Sequence, residues 1–208
     1  MDTCWLVEQR RDQPQGDILS NLATAPIDDR LTDDELVGFT LLLMVAGNET
    51  TRNNISHGLI ALMEHPEQWQ ALRADPKRLL DNAVEEITRW ATPVNYMART
   101  ALYDTELGGQ QVRAGDRVAM MYASANRDED LFPDGHVFDI ERNGQRHLAF
   151  GTGRHFCLGA HLARIETKLV FAELLSRVER FHRTGPIERL RSSFIHGVKH
   201  LPVTAEPG

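Results

Sequence analysis

From the start of the chain to Pro93, apolar residues recur at helical spacing; beyond it they shorten into strand-like runs between glycine turns. Residues 2–11 read as a helix cut by Gln13-Pro14-Gln15-Gly16, residues 17–25 as a short second helix, and residues 26–30 as a polar loop. The strongest local signal follows. Thr32-Asp33-Asp34-Glu35 has the spacing of a capping box, in which a hydroxyl and a carboxylate each take up a free amide of the first turn. Helical composition then runs to Glu64, where His65-Pro66 stops it, because a residue before proline is pushed out of the helical region. At 1.5 Å per residue such a helix is about 50 Å long. Residues 36–46 are apolar on nearly every face, which predicts a helix buried on all sides. The pattern then breaks into Ala46-Gly47-Asn48-Glu49-Thr50-Thr51, a polar insert in the expected buried rod.

Helices are expected again over residues 67–74 and 79–90, the second ended by Thr92-Pro93. Residues 94–103 and 106–112 read as strands, with Gly108-Gly109 and Ala114-Gly115-Asp116 as turns, and residues 118–125 as a strand running into a short helix. Residues 126–147 form an irregular stretch rich in Asp, Gly and Arg, and loops of that length are usually functional. A last amphipathic helix is expected over residues 158–178, followed from Phe181 by turns and short strands. There is no internal repeat or low-complexity tract. The pattern predicts a mainly α chain with small β-sheets.

Composition narrows the class. The chain has 208 residues, 41% hydrophobic and 25% charged, enough for one domain or two and too apolar for disorder. A formal charge of −7 argues against a nucleic-acid partner. No apolar run reaches the length of a membrane span, and Met1-Asp2-Thr3-Cys4-Trp5 lacks the basic start and apolar core of a leader peptide. Two cysteines, Cys4 and Cys157, cannot build a disulfide framework, which fits a reducing cytoplasm.

Candidate chemistry centres on Phe150-Gly151-Thr152-Gly153-Arg154-His155-Phe156-Cys157-Leu158-Gly159-Ala160. Two glycines allow a tight loop that approaches a flat ligand, and Gly159 lets the next helix start close by. Cys157 is expected at or next to that helix N-terminus, where free amides and the helix dipole stabilise a thiolate. Taken alone, the cysteine also fits a buried position after a glycine turn. A zinc set of His147, His155, Cys157 and His161 is a further alternative, although its spacings match no usual finger.

The segment resembles the haem-binding loop of the cytochrome P450 family, the haem-thiolate monooxygenases. Phe150, Gly153, His155, Cys157 and Gly159 fill the pattern Phe-x-x-Gly-x-His/Arg-x-Cys-x-Gly. The resemblance implies haem b (iron protoporphyrin IX), with Cys157 as axial iron ligand and Phe150, Gly151, His155 and Gly159 around it. Glu86-Ile87-Thr88-Arg89 reads by spacing as an ordinary helical salt bridge. In the resembled family this Glu-x-x-Arg pair is buried and joined by a second arginine before the haem loop. Arg142 stands at that place, so Glu86, Arg89 and Arg142 are expected to lock the cysteine loop from behind. Ala46-Gly47-Asn48-Glu49-Thr50-Thr51 is similar to the family's signature on its central helix, which implies that Glu49 and Thr50 relay protons during oxygen activation. Arg99 and His155 match the residues that pair with haem propionates.

Residues 85–101 and 124–128 look like bacterial members. The central-helix signature, with Glu188-Arg189-Leu190-Arg191-Ser192 and His196-Gly197-Val198-Lys199-His200, is similar to an actinobacterial group that hydroxylates steroid side chains or methyl-branched lipids. Pro133-Asp134-Gly135 departs from the usual Asp-Pro in an expected surface meander. Family members are about twice this length, so residues 1–208 are expected to be the C-terminal, haem-ligand-bearing part of one domain. That part retains Ala46, Val94, Asn95, Tyr96 and residues near Phe194-Ile195 for a hydrophobic small-molecule substrate. The resemblance implies electrons from a ferredoxin and its NAD(P)H-dependent reductase. The alternative is a shortened, non-catalytic remnant that binds haem weakly or serves as an interaction module. In either case the apolar helix at residues 36–46 would lose partners and invite self-association.

Overall fold

Helix starts and stops follow the cap chemistry in the computed structural model, which describes residues 3–26, 30–142 and 146–208. These fall into two units, residues 1–49 and 50–208. In the first, α1 (Thr3–Asp12) and α2 (Ile18–Ala23) are joined by a polar loop. The Asp17 carboxylate caps α2 by accepting from the Ser20 amide at 2.7 Å and takes the Arg10 guanidinium at 2.6 Å. Val7, Ala23 and Leu36 form a small core with Leu19, Leu22, Leu31 and Val37 around it. Much of the expected loop at residues 26–30 lies outside the described residues.

The long helix α3 (Asp33–Glu64) begins where the capping box places it. Thr32 N donates to Glu35 Oε2 at 2.9 Å, and Glu35 N donates to Thr32 Oγ1 at 3.3 Å. One expectation about α3 holds and one changes. It is helical through residues 46–51 and on to Glu64 as expected, so the polar insert interrupts the apolar pattern without interrupting the backbone. Residues 36–46 are not buried on all sides, because Leu41, Leu42, Met44 and Val45 are each about half exposed or more, whereas Leu36 and Thr40 are buried. The helix presents apolar surface in more directions than the described residues around it cover.

The larger unit packs α4 (Pro66–Ala74), α5 (Pro76–Ala91) and α7 (Ala160–Arg177) with the end of α3. Its core runs through Ala61, Leu62, Trp69, Leu72, Leu80, Val84, Ile87, Phe138 and Phe171. Gly58 is where α3 crosses closest: a Cβ there would lie 2.6 Å from Ile87 Cγ2 and 2.9 Å from Phe171 Cζ. α5 ends at Thr92, which adopts φ 37° with Pro93 following. β1 (Tyr96–Thr100) pairs antiparallel with β4 (Arg117–Met121), and β2 (Thr105–Leu107) with β3 (Gln110–Val112) across the Gly108-Gly109 turn. α6 (Tyr122–Ala125) closes β4.

The described residues from Asn126 to Thr152 are turns and irregular backbone, as the composition predicts. α7 is shorter than expected because Gly159 occupies its cap and Val178 already opens β5 (Val178–Arg183). Nor is it cleanly amphipathic: Phe171 and Leu175 are buried while Leu162, Ile165 and Leu169 are exposed. β5 pairs with β8 (Val203–Pro207), and β6 (Glu188–Arg189) with β7 (Val198–His200). The β6–β7 connection returns to β1 through a single bridge between Val94 and Ile195. Among the described residues no helix is long and apolar enough to cross a membrane.

Candidate active site

The cysteine loop is built from backbone. Gly151 and Gly153 adopt φ 69° and 68°, the left-handed region that a side chain disfavours. This geometry lets Gly151 N donate to Leu148 O at 2.9 Å and Cys157 N to Phe150 O at 2.9 Å, folding the loop into a tight reversal. Residues Gly153–His155 form a single 3-10 turn. Cys157 is exposed, so the buried-cysteine alternative does not describe it. It stands three residues before the first residue of α7 rather than on the helix terminus, with its carbonyl accepting from Ala160 N at 3.3 Å. Among the described residues no three His, Cys, Asp or Glu side chains cluster as metal ligands, which leaves the zinc set without a site.

Behind the loop the polar groups are buried and bonded. The Arg89 guanidinium forks onto the Glu86 carboxylate through Nε and Nη2, both at 2.7 Å. Both side chains are 2% exposed, so desolvation costs are high and only such charge-assisted geometry offsets them. Arg89 Nη1 also donates to the carbonyls of Asn126 at 2.6 Å and Gly135 at 2.9 Å. Arg142 lies 3.4 Å from Glu86 through Nε, while its Nη groups donate to the carbonyls of Pro133, Asp134 and Val137. The pair that spacing alone reads as a surface salt bridge is thus a buried clamp on the irregular segment. The Pro133-Asp134-Gly135 departure also belongs to it. Gly135 is buried, and a Cβ there would meet Arg127 O at 2.7 Å.

A second strut was not legible in the sequence. Arg164 on α7 forks onto Glu85 at 2.5 and 2.9 Å and lies 4.5 Å from the Phe150 ring centroid. His147 Nε2 sits 3.3 Å from Glu85 Oε2. Burial works to raise the Glu85 pKa; His147 and Arg164 outweigh it and hold it at about 2. Asn126 is a further hub, fully buried, with its side chain donating to Thr92 Oγ1 at 2.9 Å and accepting from Leu148 N at 2.6 Å. Glu85 is the neighbour of Glu86, and Asn126 opens the long irregular run; neither carries a spacing that singles it out.

The other expected site residues are distributed. Arg99 on β1 is exposed, with its guanidinium donating to the carbonyl of Ala98, and His155 is exposed in the 3-10 turn. Neither has a carboxylate partner among the described residues. Ala46 and Glu49 are exposed on α3 and Thr50 is half-buried. Val94, Asn95 and Tyr96 run along one edge of the β6–β7 connection: Asn95 N donates to Phe194 O at 2.9 Å, and the Tyr96 and Phe194 rings meet edge to face at 5.9 Å.

Haem fits this donor set. An accessible cysteine for iron, exposed Phe156 and Leu158 for an apolar plane, and exposed Arg99 and His155 for carboxylates are what that group asks of a protein surface. A Cβ on Gly153 or Gly159 would meet nothing within 4 Å, so both glycines border open space.

Comparison with known proteins gives the same direction. The profile of the family described as Cytochrome P450 matches residues 6–195. The chain is 50% identical over 201 residues to a methyl-branched lipid omega-hydroxylase of Mycobacterium tuberculosis, covering 96% of this chain and 47% of that protein. It is 47% identical over 201 residues to a steroid C26-monooxygenase of Rhodococcus jostii, covering 95% of this chain and 42% of that protein. The solved structure of CYP108D1 from Novosphingobium aromaticivorans superposes with a TM-score of 0.90 at 38% identity, over 99% of this chain and 50% of that one. The chain thus spans about half the length of the curated relatives it matches.

Proposed function

This chain belongs to the cytochrome P450 family, and from that membership we propose that it is the C-terminal, haem-ligand-bearing part of a monooxygenase acting on a hydrophobic substrate. In this reading the Cys157 thiolate would hold the iron of haem b. Once bound, the haem supplies the dioxygen chemistry that inserts one oxygen atom into a C–H bond. The chain's residues hold and orient. The two-glycine loop presents Cys157, and the Glu86–Arg89–Arg142 clamp keeps the segment behind that loop in place. Arg99 and His155 offer charge to the propionates. Glu49 and Thr50 supply a carboxyl and a hydroxyl next to each other in the chain, able to hold and pass protons at Oε and Oγ1. Val94, Asn95 and Tyr96, with Ala46, contribute part of the substrate wall.

The names of the relatives support a steroid side chain or a methyl-branched lipid as substrate class. Family membership supports a ferredoxin and its NAD(P)H-dependent reductase as electron source, and the sparse cysteine usage supports a cytoplasmic site of action.

The observation that carries the reading is an exposed cysteine in a left-handed glycine loop, backed by a fully bonded buried ion pair. The purified chain is loaded with haem, reduced with dithionite and exposed to carbon monoxide. A Soret band at the thiolate position, lost in Cys157→Ser, supports the assignment; no haem uptake, or a band at the neutral-thiol position, overturns it. A second reading is favoured by exposed Leu42 and Val45 on α3 and, separately, by exposed Leu158 just before α7 and Leu162 and Leu169 along it: a non-catalytic remnant that self-associates through exposed apolar side chains. A thiolate band without product, when ferredoxin, reductase and a branched lipid are supplied, selects it.

A further inference from the structure

A histidine on the buried half of α3 contacts a second one, and the proposed chemistry uses neither. The rings of His57, on α3, and His196, two residues before β7, lie 3.9 Å apart at an interplanar angle of 32°. His57 Nε2 is 3.0 Å from the carbonyl of His196, and His196 Nδ1 is 2.9 Å from the carbonyl of Ala91 at the end of α5. A carbonyl only accepts, so each of these nitrogens carries the hydrogen. His196 Nε2 is then the acceptor, and Arg189 Nη1 of β6 approaches it at 3.4 Å. The tautomers are therefore assigned by partners: His57 protonated at Nε2, His196 at Nδ1, both neutral.

Burial, helped by nearby positive charge, keeps them so. Burial is the largest influence pushing His57 down to about 4, and Arg189 and Arg127 act in the same direction. His196 is lowered by its own burial and by the same two arginines, with its bond to Ala91 working the other way.

What the pair holds is the turn between β6 and β7. His196 N donates to Pro93 O at 2.9 Å, and Asn95 N and Nδ2 donate to the carbonyls of Phe194 and Ser193, both at 2.9 Å. About one turn before His57 on α3, Asn53 accepts from Val198 N at 2.9 Å and Arg52 donates to Val198 O at 2.9 Å. The turn therefore carries Phe194 against Tyr96 while α3 holds its far end. We propose that His57, acting as an Nε2–H donor to the His196 carbonyl, is a positioning residue that sets the Phe194–Ile195 turn against Val94–Tyr96 and so shapes the wall a substrate meets. The meaning of that wall rests on the function proposed above; the clamp itself does not.

Amide hydrogen exchange on the purified 208-residue chain tests it without haem. In His57→Phe the amides of Asn95, His196 and Val198 are expected to exchange about tenfold faster, as expected for losing one buried hydrogen bond, while α5 and α7 amides stay protected. His57→Gln places an amide donor near the same point and is expected to restore protection. Protection unchanged in His57→Phe, or His57→Gln exchanging as fast as His57→Phe, overturns the proposal. So does a 15N imidazole spectrum at neutral pH showing His57 protonated at Nδ1. If His57→Phe unfolds, exchange rises throughout and the glutamine variant and the spectrum decide. In haem-loaded protein, weakened binding of a hydrophobic ligand in His57→Phe with an unchanged carbon monoxide band links the clamp to the site. A missing thiolate band in the unsubstituted chain overturns the haem-thiolate assignment and leaves the exchange result standing.

Discussion

The two halves of α3 run in opposite directions in composition and burial. Residues 36–46 are apolar nearly all round, yet Leu41, Leu42, Met44 and Val45 are largely exposed. Residues 51–57 include Thr51, Asn53, Asn54 and His57, and all four are buried. The difference lies in partners. Asn53 accepts from Val198 N, Asn54 donates to Thr88 and Thr167, and His57 donates to His196. Unpartnered, each of those groups would cost about 1–3 kcal/mol to bury. The apolar half has no comparable covering among the described residues, so its side chains stay in contact with water. Apolar composition measures what a helix gains if it is covered; it does not supply the cover.

The sharpest test makes the same substitution at two positions of one helix. Leu62, 1% exposed in the core beside Trp69 and Leu80, is expected to lose about 2–5 kcal/mol on Leu62→Ala, read by urea unfolding. Leu42→Ala, at a site 60% exposed, is expected to change stability by no more than about 0.5 kcal/mol. Similar losses at both would break the contrast.

Acid is the next largest perturbation, and it acts on the polar half. His57 is pushed by burial from 6.5 down to about 4, so between those values the unfolded chain binds the proton more readily than the folded one. Its contribution to stability is complete above about pH 6.5 and is lost as pH falls toward 4, with an upper limit of about 3 kcal/mol. The lowered His196 acts in the same direction. Unfolding followed across that range should show the slope in the unsubstituted chain and a flatter one in His57→Gln. An equal slope in both would place the titrating group elsewhere.

A smaller effect comes from the helix crossing. Gly58→Ala puts a methyl group 2.6 Å from Ile87 Cγ2, an overpacking cost of about 1–3 kcal/mol that alanine's better helix propensity offsets by about 1. A stabilised variant would mean that α5 and α7 yield at this contact. The smallest effect on stability, with a visible one on solution state, is Leu42→Ser with Val45→Ser. Denaturation midpoints should hardly move; under the self-associating reading proposed above, sedimentation shifts toward monomer. Unchanged association would assign self-contact to another surface.

Local chemistry was legible, and distant chemistry was not. The capping box, the stop at His65-Pro66, the Gly108-Gly109 hairpin and the cysteine-loop glycines all work between near neighbours in sequence, and each stands where its pattern predicts. Glu86 and Arg89 were legible as a pair. Their burial was not, because it depends on carbonyls of Asn126 and Gly135 brought in from far along the chain. The Glu85–Arg164 strut, the Asn126 hub and the His57–His196 contact join residues with no periodic relation, so no spacing could announce them.

By itself the sequence determined the order of helices and turns and the caps that bound several of them, and which residue types stand ready for iron, carboxylates and protons. Those properties follow from backbone sterics and from hydrogen bonds within a few residues. Only the tertiary structure decided which charges are buried, which apolar faces remain uncovered, and which nitrogen of His57 and His196 carries the hydrogen. These depend on partners many residues away, whose placement no local pattern encodes.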